Sequence, residues 1–225
     1  KAIQKHSMFI GGEERNSQTD EAYLLMAKSR YYTKRFGPAL EAFEYIIKNY
    51  PRASLIYETV VWRAKANIHV DNVKFGKKAL KRLLGSPKLT AKVRQDTEIG
   101  LVMAYQKTPD SLEQIAEHLK ASLKAVSKGP TASRAAFVLG QVYQKQEMIA
   151  ESDKAFDKVI NMSKGTYKFK VNAQLEKINN HIEEYSTKEF LEKVNHLINV
   201  TKNRKYLGQL LYEKALIYQA TDSIG

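Results

Sequence analysis

Cysteine is absent from this 225-residue chain, which excludes disulfides, thiolate metal sites and cysteine nucleophiles without identifying a compartment. Proline and glycine are scarce, at 5 and 11; they read as turn residues, and no low-complexity tract is present. No apolar run reaches the ~18 residues a membrane-spanning helix needs. The five histidines, His6, His69, His118, His181 and His196, form no i, i+4 pair and no HExxH-type cluster, which argues against a metal centre. His69 and His118 read as solvated side chains. No G-x-x-x-x-G-K-[ST] or G-x-G-x-x-G phosphate loop occurs, Gly11-Gly12 is only a turn, and no Ser-His-Asp arrangement is legible. The expectation is a chain with no catalytic residues, no cofactor and no metal, and so not an enzyme.

What the chain does have is a repeating pattern of residue sizes. In the run DEAYLLMAKSRYYTKRFGPALEAFEYIIKNYP, counted from Asp20, an aromatic stands fourth (Tyr23), a small residue eighth (Ala27) and an aromatic seventeenth (Phe36). Ala39, Phe43 and Pro51 follow at the twentieth, twenty-fourth and thirty-second places. This is the tetratricopeptide (TPR) pattern. The two alanines let antiparallel helices approach, the aromatics fill the flanking gaps, and Pro51 stops the second helix. The pattern returns with Leu139, Gly140, Tyr143, Ser152, Phe156 and Val159. Two degenerate repeats fit between, one on Trp62, Ala66 and Ala79 and one on Val102, Tyr105 and Leu119. A fifth hairpin keeps an apolar period (Phe190, Val194, Leu197) but loses the small residues. Ser186 with Glu189, and Ser111 with Gln114, read as N-cap signals. The last segment sets Ala215 and Tyr218 at first-helix positions, with Leu210, Leu211 and Ile217 exposed.

The reading is therefore an all-α, TPR-type helical-hairpin solenoid, a right-handed superhelix of about five hairpins plus the first helix of a sixth. Its repeats fall at about 20–53, 54–88, 90–128, 132–165, 167–200 and, in part, 203–225. Residues 1–19 read as the end of a preceding helix and a loop, and the chain as a segment of a longer protein. The 43% hydrophobic content is spread evenly, which predicts one continuous stack.

Charge is concentrated. Within 61–94 there are ten Lys or Arg against one acid, Asp71, so this window holds +9 of the net +13. Lys74, Lys77, Lys78, Lys81 and Arg82 share one face of a second helix, opposite Ala79, Leu80, Leu83 and Leu84. That face points to the convex side. It suits an acidic protein partner or anionic headgroups, or is a solvated face. Nucleic acid is the weaker fit, because interleaved aromatics for stacking are not apparent. First-helix positions nominate a concave groove of Lys28, Tyr31, Arg63, Asn67, Phe137, Gln141 and Gln144, suited to an extended peptide or a partner's helix. A carboxylate-clamp module is disfavoured, because Leu24 and Lys28 stand where that clamp needs Lys and Asn. Acidic residues lie beside lysines at helical spacing, as Glu183 and Glu184 do with Lys188.

Together KAIQKHSM, the run from Asp20 to Pro51, WRAKANI, NAQLEKI and, more loosely, YEKALIY resemble the SprE/PorW proteins. These are TPR lipoproteins of the type IX secretion and gliding machinery of Bacteroidota. The resemblance implies a non-catalytic scaffold on the periplasmic face of the outer membrane, joining the secretion translocon to periplasmic ring components in protein transport and gliding motility. It also implies a lipid anchor outside this segment. It maps no binding motif onto these residues. A helical-repeat module for nucleic acid or for a generic acidic partner is the alternative.

Overall fold

The computed structural model describes residues 19–222, with side chains to 219; KAIQKHSM and the Gly11-Gly12 turn lie outside them. The described residues are helical, with no strand. In chain order they form α1 (Thr19–Tyr32), α2 (Phe36–Asn49), α3 (Ile56–His69), α4 (Val73–Leu84), α5 (Ala91–Tyr105) and α6 (Leu112–Ala125). There follow α7 (Pro130–Lys145), α8 (Ile149–Ile160), α9 (Tyr167–Asn180), α10 (Thr187–Asn199) and α11 (Leu207–Asp222). Short 3₁₀ turns at Ile182–Glu184 and Thr201–Tyr206 flank α10. Five hairpins and a further first helix make an all-α TPR-type architecture. The chain divides into two compact units, the first ending at Ala125 and the second beginning at Val126.

In the first unit each helix packs on the next, and α3 lies beside α5. Ala27, Ala39 and Phe43 are fully buried with Ile46 and Ala66 in one apolar cluster. Val61, Ala64, Ile68, Leu80, Leu101 and Ala104 form a second. Tyr23 stacks on Tyr45 with ring centres 4.4 Å apart. Burying a side chain such as Phe43 contributes roughly 2–3 kcal/mol, so the alternation of alanine and aromatic accounts for most of what joins α1 to α2.

The second unit is built from α7–α8, α8–α9 and α9–α10 contacts, with α11 against α10. Phe190, Val194 and Leu197 meet Val171, Leu175 and Leu210 in one core. Ala173 is fully buried on α9, so this hairpin does retain a small residue. Ser186 and Glu189 make a complete capping box. The Ser111 hydroxyl instead donates back to the Tyr105 and Thr108 carbonyls at 2.6 and 2.8 Å, closing the turn before α6. On α11, Leu210 is buried and Ile217 packs on the core, correcting the expected exposure of both, while Leu211 and Tyr212 face solvent.

Two local features differ from the sequence reading. Gly76, Gly100 and Gly140 sit inside helices, not in turns. A Cβ on Gly140 would lie within 2.7 Å of the Phe156 ring, and one on Gly76 would lie 2.7 Å from Ile68 Cγ1; both helices close on their partner only because no methyl stands there. Gly85, Gly129 and Gly165 do stand between helices, and the turns also use Lys34, Asp71, Asp110 and Glu147, each left-handed at φ between 51 and 60°. One such residue reverses the chain in each of the first four hairpins.

Candidate functional site

On the first unit, α1 and α3 bring an aromatic and charged row together around Trp62. The Lys28 and Lys65 ammonium groups lie 5.4 and 5.0 Å from its ring centre, within cation–π range. Lys28 also pairs with Glu58, and the Trp62 indole N–H donates to the same Glu58 oxygen at 3.4 Å. Tyr31 and Tyr32 set their rings edge-on to Trp62 at 5.1 and 5.4 Å. Tyr31 also meets Phe36 and His69, and burial pushes its hydroxyl up to about 12. It is thus a packing residue with one edge at the surface, not the free groove contact its position suggests. His69 remains exposed, but its ring stacks on Phe36 at 4.7 Å.

Lys65 is the least expected member of the row. It is only 6% exposed and has no ion-pair or hydrogen-bond partner among the described residues. Burial lowers its ammonium from the ordinary 10.5 to about 8, against the pull of Asp96 and Glu58. Desolvation outweighs attraction here because both carboxylates stop short of contact.

Other nominated groove residues serve the fold. Asn67 is buried; its amide donates to the Arg63 carbonyl at 3.0 Å and its oxygen accepts from Asn72 at 3.0 Å, tying α3 to its turn. Phe137 is 7% exposed and packs against Phe156 and Phe169, so it is core. Gln144 donates to Glu176 and Asn180 at 3.1 and 2.7 Å, holding α7 against α9. Gln141 stays half-buried. These positions project inward because the next hairpin covers them, which one repeat's spacing does not reveal.

Arg63 turns to the other side of α3. Its guanidinium pairs with Glu44 at 2.6 Å and lies 5.3 Å from the Phe75 ring centre. It borders a cleft of about 520 Å³ between α3 and α4, where Tyr57, Val60, Phe75 and Leu83 meet Lys78 and Arg82. The basic stripe is thereby divided. Lys77 and Lys81 lean over Tyr105 at 3.8 and 5.9 Å, Lys78 and Arg82 line the cleft, and Lys74 is exposed between them. None of the five has an acidic partner among the described residues. Aromatics therefore do interleave with this patch: Phe75 is 44% exposed and Tyr105 underlies Lys77. Phe75 is visible in the sequence between Lys74 and Lys77, but a face read as purely charged conceals it.

His118 and His181 are engaged as well. His118 is half-buried and pairs with Glu98 at 2.7 Å, stacked on Tyr105; it is not a solvated side chain. His181 bridges Asp153 at 2.7 Å and Glu184 at 3.0 Å, and those hydrogen bonds, Asp153 first, raise its pKa above 6.5. Glu184 thus serves His181 in place of Lys188. Lys28–Glu58 and Lys177–Asp157 join different helices, Lys107–Asp71 joins two turns, and Lys92–Asp96 is an i, i+4 pair. Among the described residues no group of three or more His, Asp or Glu is placed to hold a metal. No helix among them is long and apolar enough to cross a membrane.

Neither the protein-family models nor the curated proteins contain a match to this chain. Among solved structures it is similar to TTC0263, a thermophilic TPR protein of Thermus thermophilus. They share 16% identity and a TM-score of 0.56 over 89% of this chain and 100% of that one. It is similar to PilF of Pseudomonas aeruginosa at 15% identity and TM-score 0.60, over 92% of this chain and 97% of that one. It is also similar to MamA from Desulfovibrio magneticus RS-1, at 11% identity and TM-score 0.58, covering 84% and 98%. Identities this low establish the TPR-type fold and nothing finer.

Proposed function

We propose that this chain is a non-catalytic adaptor, a helical-repeat surface that holds a protein partner. The observation that carries this reading is the pre-formed row on α1 and α3. Trp62 is fixed by Lys28, Lys65, Glu58 and two tyrosines. Side chains ordered before binding lose little entropy on binding, and a row of aromatic and charged groups suits an extended segment or a helix.

The same proposal extends to where the adaptor works. KAIQKHSM and the other segments that resemble the SprE/PorW proteins support a role in the periplasm. There the chain would join the type IX secretion translocon to the periplasmic ring components of the gliding machinery, held to the outer membrane by an anchor beyond this segment.

Affinity capture from the detergent-solubilised envelope of a type IX-secreting bacterium, with mass spectrometry, tests both levels. Secretion-machine proteins retained by the parent and lost with Trp62→Ala are expected. Retention of unrelated proteins only would overturn the secretion assignment and leave the adaptor reading. Retention of nothing above an empty resin would overturn the adaptor reading itself.

A further inference from the structure

We infer that the cleft between α3 and α4 binds an acidic protein segment that carries a bulky apolar side chain. This rests on the adaptor reading and gives it a second, separate docking site, away from the Trp62 row. The cleft combines two properties that point to such a ligand. Its floor is apolar, with Phe75 44% exposed beside Tyr57 and Val60, and large exposed apolar groups in a concave site favour a ligand that buries them. Its rim is cationic, with Arg63 from one helix and Lys78 and Arg82 from the other, and no residue lining it is acidic.

The charges on that rim are incompletely met. Lys78 and Arg82 have no ion-pair partner among the described residues. Arg63 pairs through Nη1 with Glu44, which reaches it from α2 at 2.6 Å, yet its Nε–H is buried with no acceptor. A ligand carboxylate on the Nε–Nη2 edge would satisfy, in a bidentate grip, the donor that Glu44 on Nη1 leaves unmet.

Shape and charge together select the occupant. A purely apolar ligand makes no use of three cations, and a polyphosphate chain or a headgroup makes no use of the Phe75 floor. A cleft of about 520 Å³ accommodates one Phe or Leu side chain with its flanking backbone. Lys78 and Arg82 stand one turn apart on α4 and line the cleft, so they meet carboxylates of the segment that carries that anchor.

The test uses the full 225-residue chain and fluorescence anisotropy with a labelled peptide EDFEDLEE. A serine counterpart EDSEDSEE isolates the apolar contribution. The acidic apolar peptide is expected to bind at micromolar affinity, about tenfold more tightly than the serine form. Lys78→Glu with Arg82→Glu should weaken it at least about tenfold, and Phe75→Ala about fivefold. All three positions are exposed, and unchanged circular dichroism will confirm that the variants fold. Lys154→Glu with Lys158→Glu, on α8, should leave binding unaltered.

Equal binding of the two peptides, indifference to the α4 reversal, or no binding below about 1 mM would overturn the inference. So would tighter binding of a single-stranded oligonucleotide or of phosphatidylglycerol vesicles than of the peptide. Envelope capture separates the two readings. If peptide binding fails while the parent still captures proteins that Trp62→Ala loses, the cleft assignment falls and the adaptor stands. If the peptide binds and nothing is captured, the adaptor falls and the cleft stands.

Discussion

Lys65 holds an amine almost out of water, beside the face of Trp62. Its pKa falls from 10.5 to about 8 on folding. Below about 8 both states carry the proton and the folded one carries a buried charge. Between about 8 and 10.5 the unfolded chain binds a proton that the folded chain has released, so stability rises with pH across that window. Lys65→Met should stabilise the first unit at pH 7 by on the order of 2 kcal/mol. That advantage should shrink as urea titrations are repeated from about pH 8 to 10.5. His181 runs the opposite way. Asp153 and Glu184 raise its pKa above 6.5, so its contribution to stability is complete below 6.5 and is lost as pH rises through the higher folded value. A proton NMR titration should place its midpoint above 6.5, and Asp153→Asn should bring it down; a midpoint at or below 6.5 in the parent would refute the bridge. The sequence conveyed neither behaviour. Lys65 has the spacing of any first-helix residue, and the partners of His181 stand 28 and 3 residues away, the farther one on a different helix.

Helix contacts were legible where they are made within one hairpin. Ala27 against Ala39 and Phe43, and Gly140 against Phe156, follow from local spacing because both halves of each contact lie within one repeat. Asn67, Phe137 and Gln144 were misassigned because what covers them is a turn or the next hairpin. Gly140 yields a sharp test, since two effects oppose. Helix propensity favours Gly140→Ala by about 1 kcal/mol, but the new methyl would lie within 2.7 Å of a fully buried ring. Overpacking of that kind costs roughly 1–3 kcal/mol or more. The expected outcome is a net loss of stability and a lower Tm. Gly208→Ala on α11, with nothing within 4 Å of the added methyl, should instead gain about 0.5–1 kcal/mol. If both changes stabilise, the close approach of α7 and α8 is wrong. Ser186→Ala should remove about 1 kcal/mol by opening the capping box, read as earlier hydrogen exchange at the start of α10.

At the scale of the whole molecule, the chain divides into two compact units. An even spread of apolar residues does not report where contacts thin out, and only the short SKG sequence before α7 marks the place. Each unit has its own apolar cores. Residues 1–125 expressed alone are therefore expected to unfold in one cooperative urea transition and to keep the affinity of the full chain for EDFEDLEE. A broad, non-cooperative melt would refute their autonomy. The turns carry a consequence for how this protein would respond to random mutation. Lys34, Asp71, Asp110 and Glu147 hold a left-handed backbone that suits glycine better. Aspartate and glutamate codons become glycine codons by one base change, whereas a lysine codon needs two. A selection for heat resistance should accordingly enrich glycine at Asp110 and Glu147 in its first rounds. Asp71, whose carboxylate also holds Lys107, should follow later, and Lys34 should be reached last.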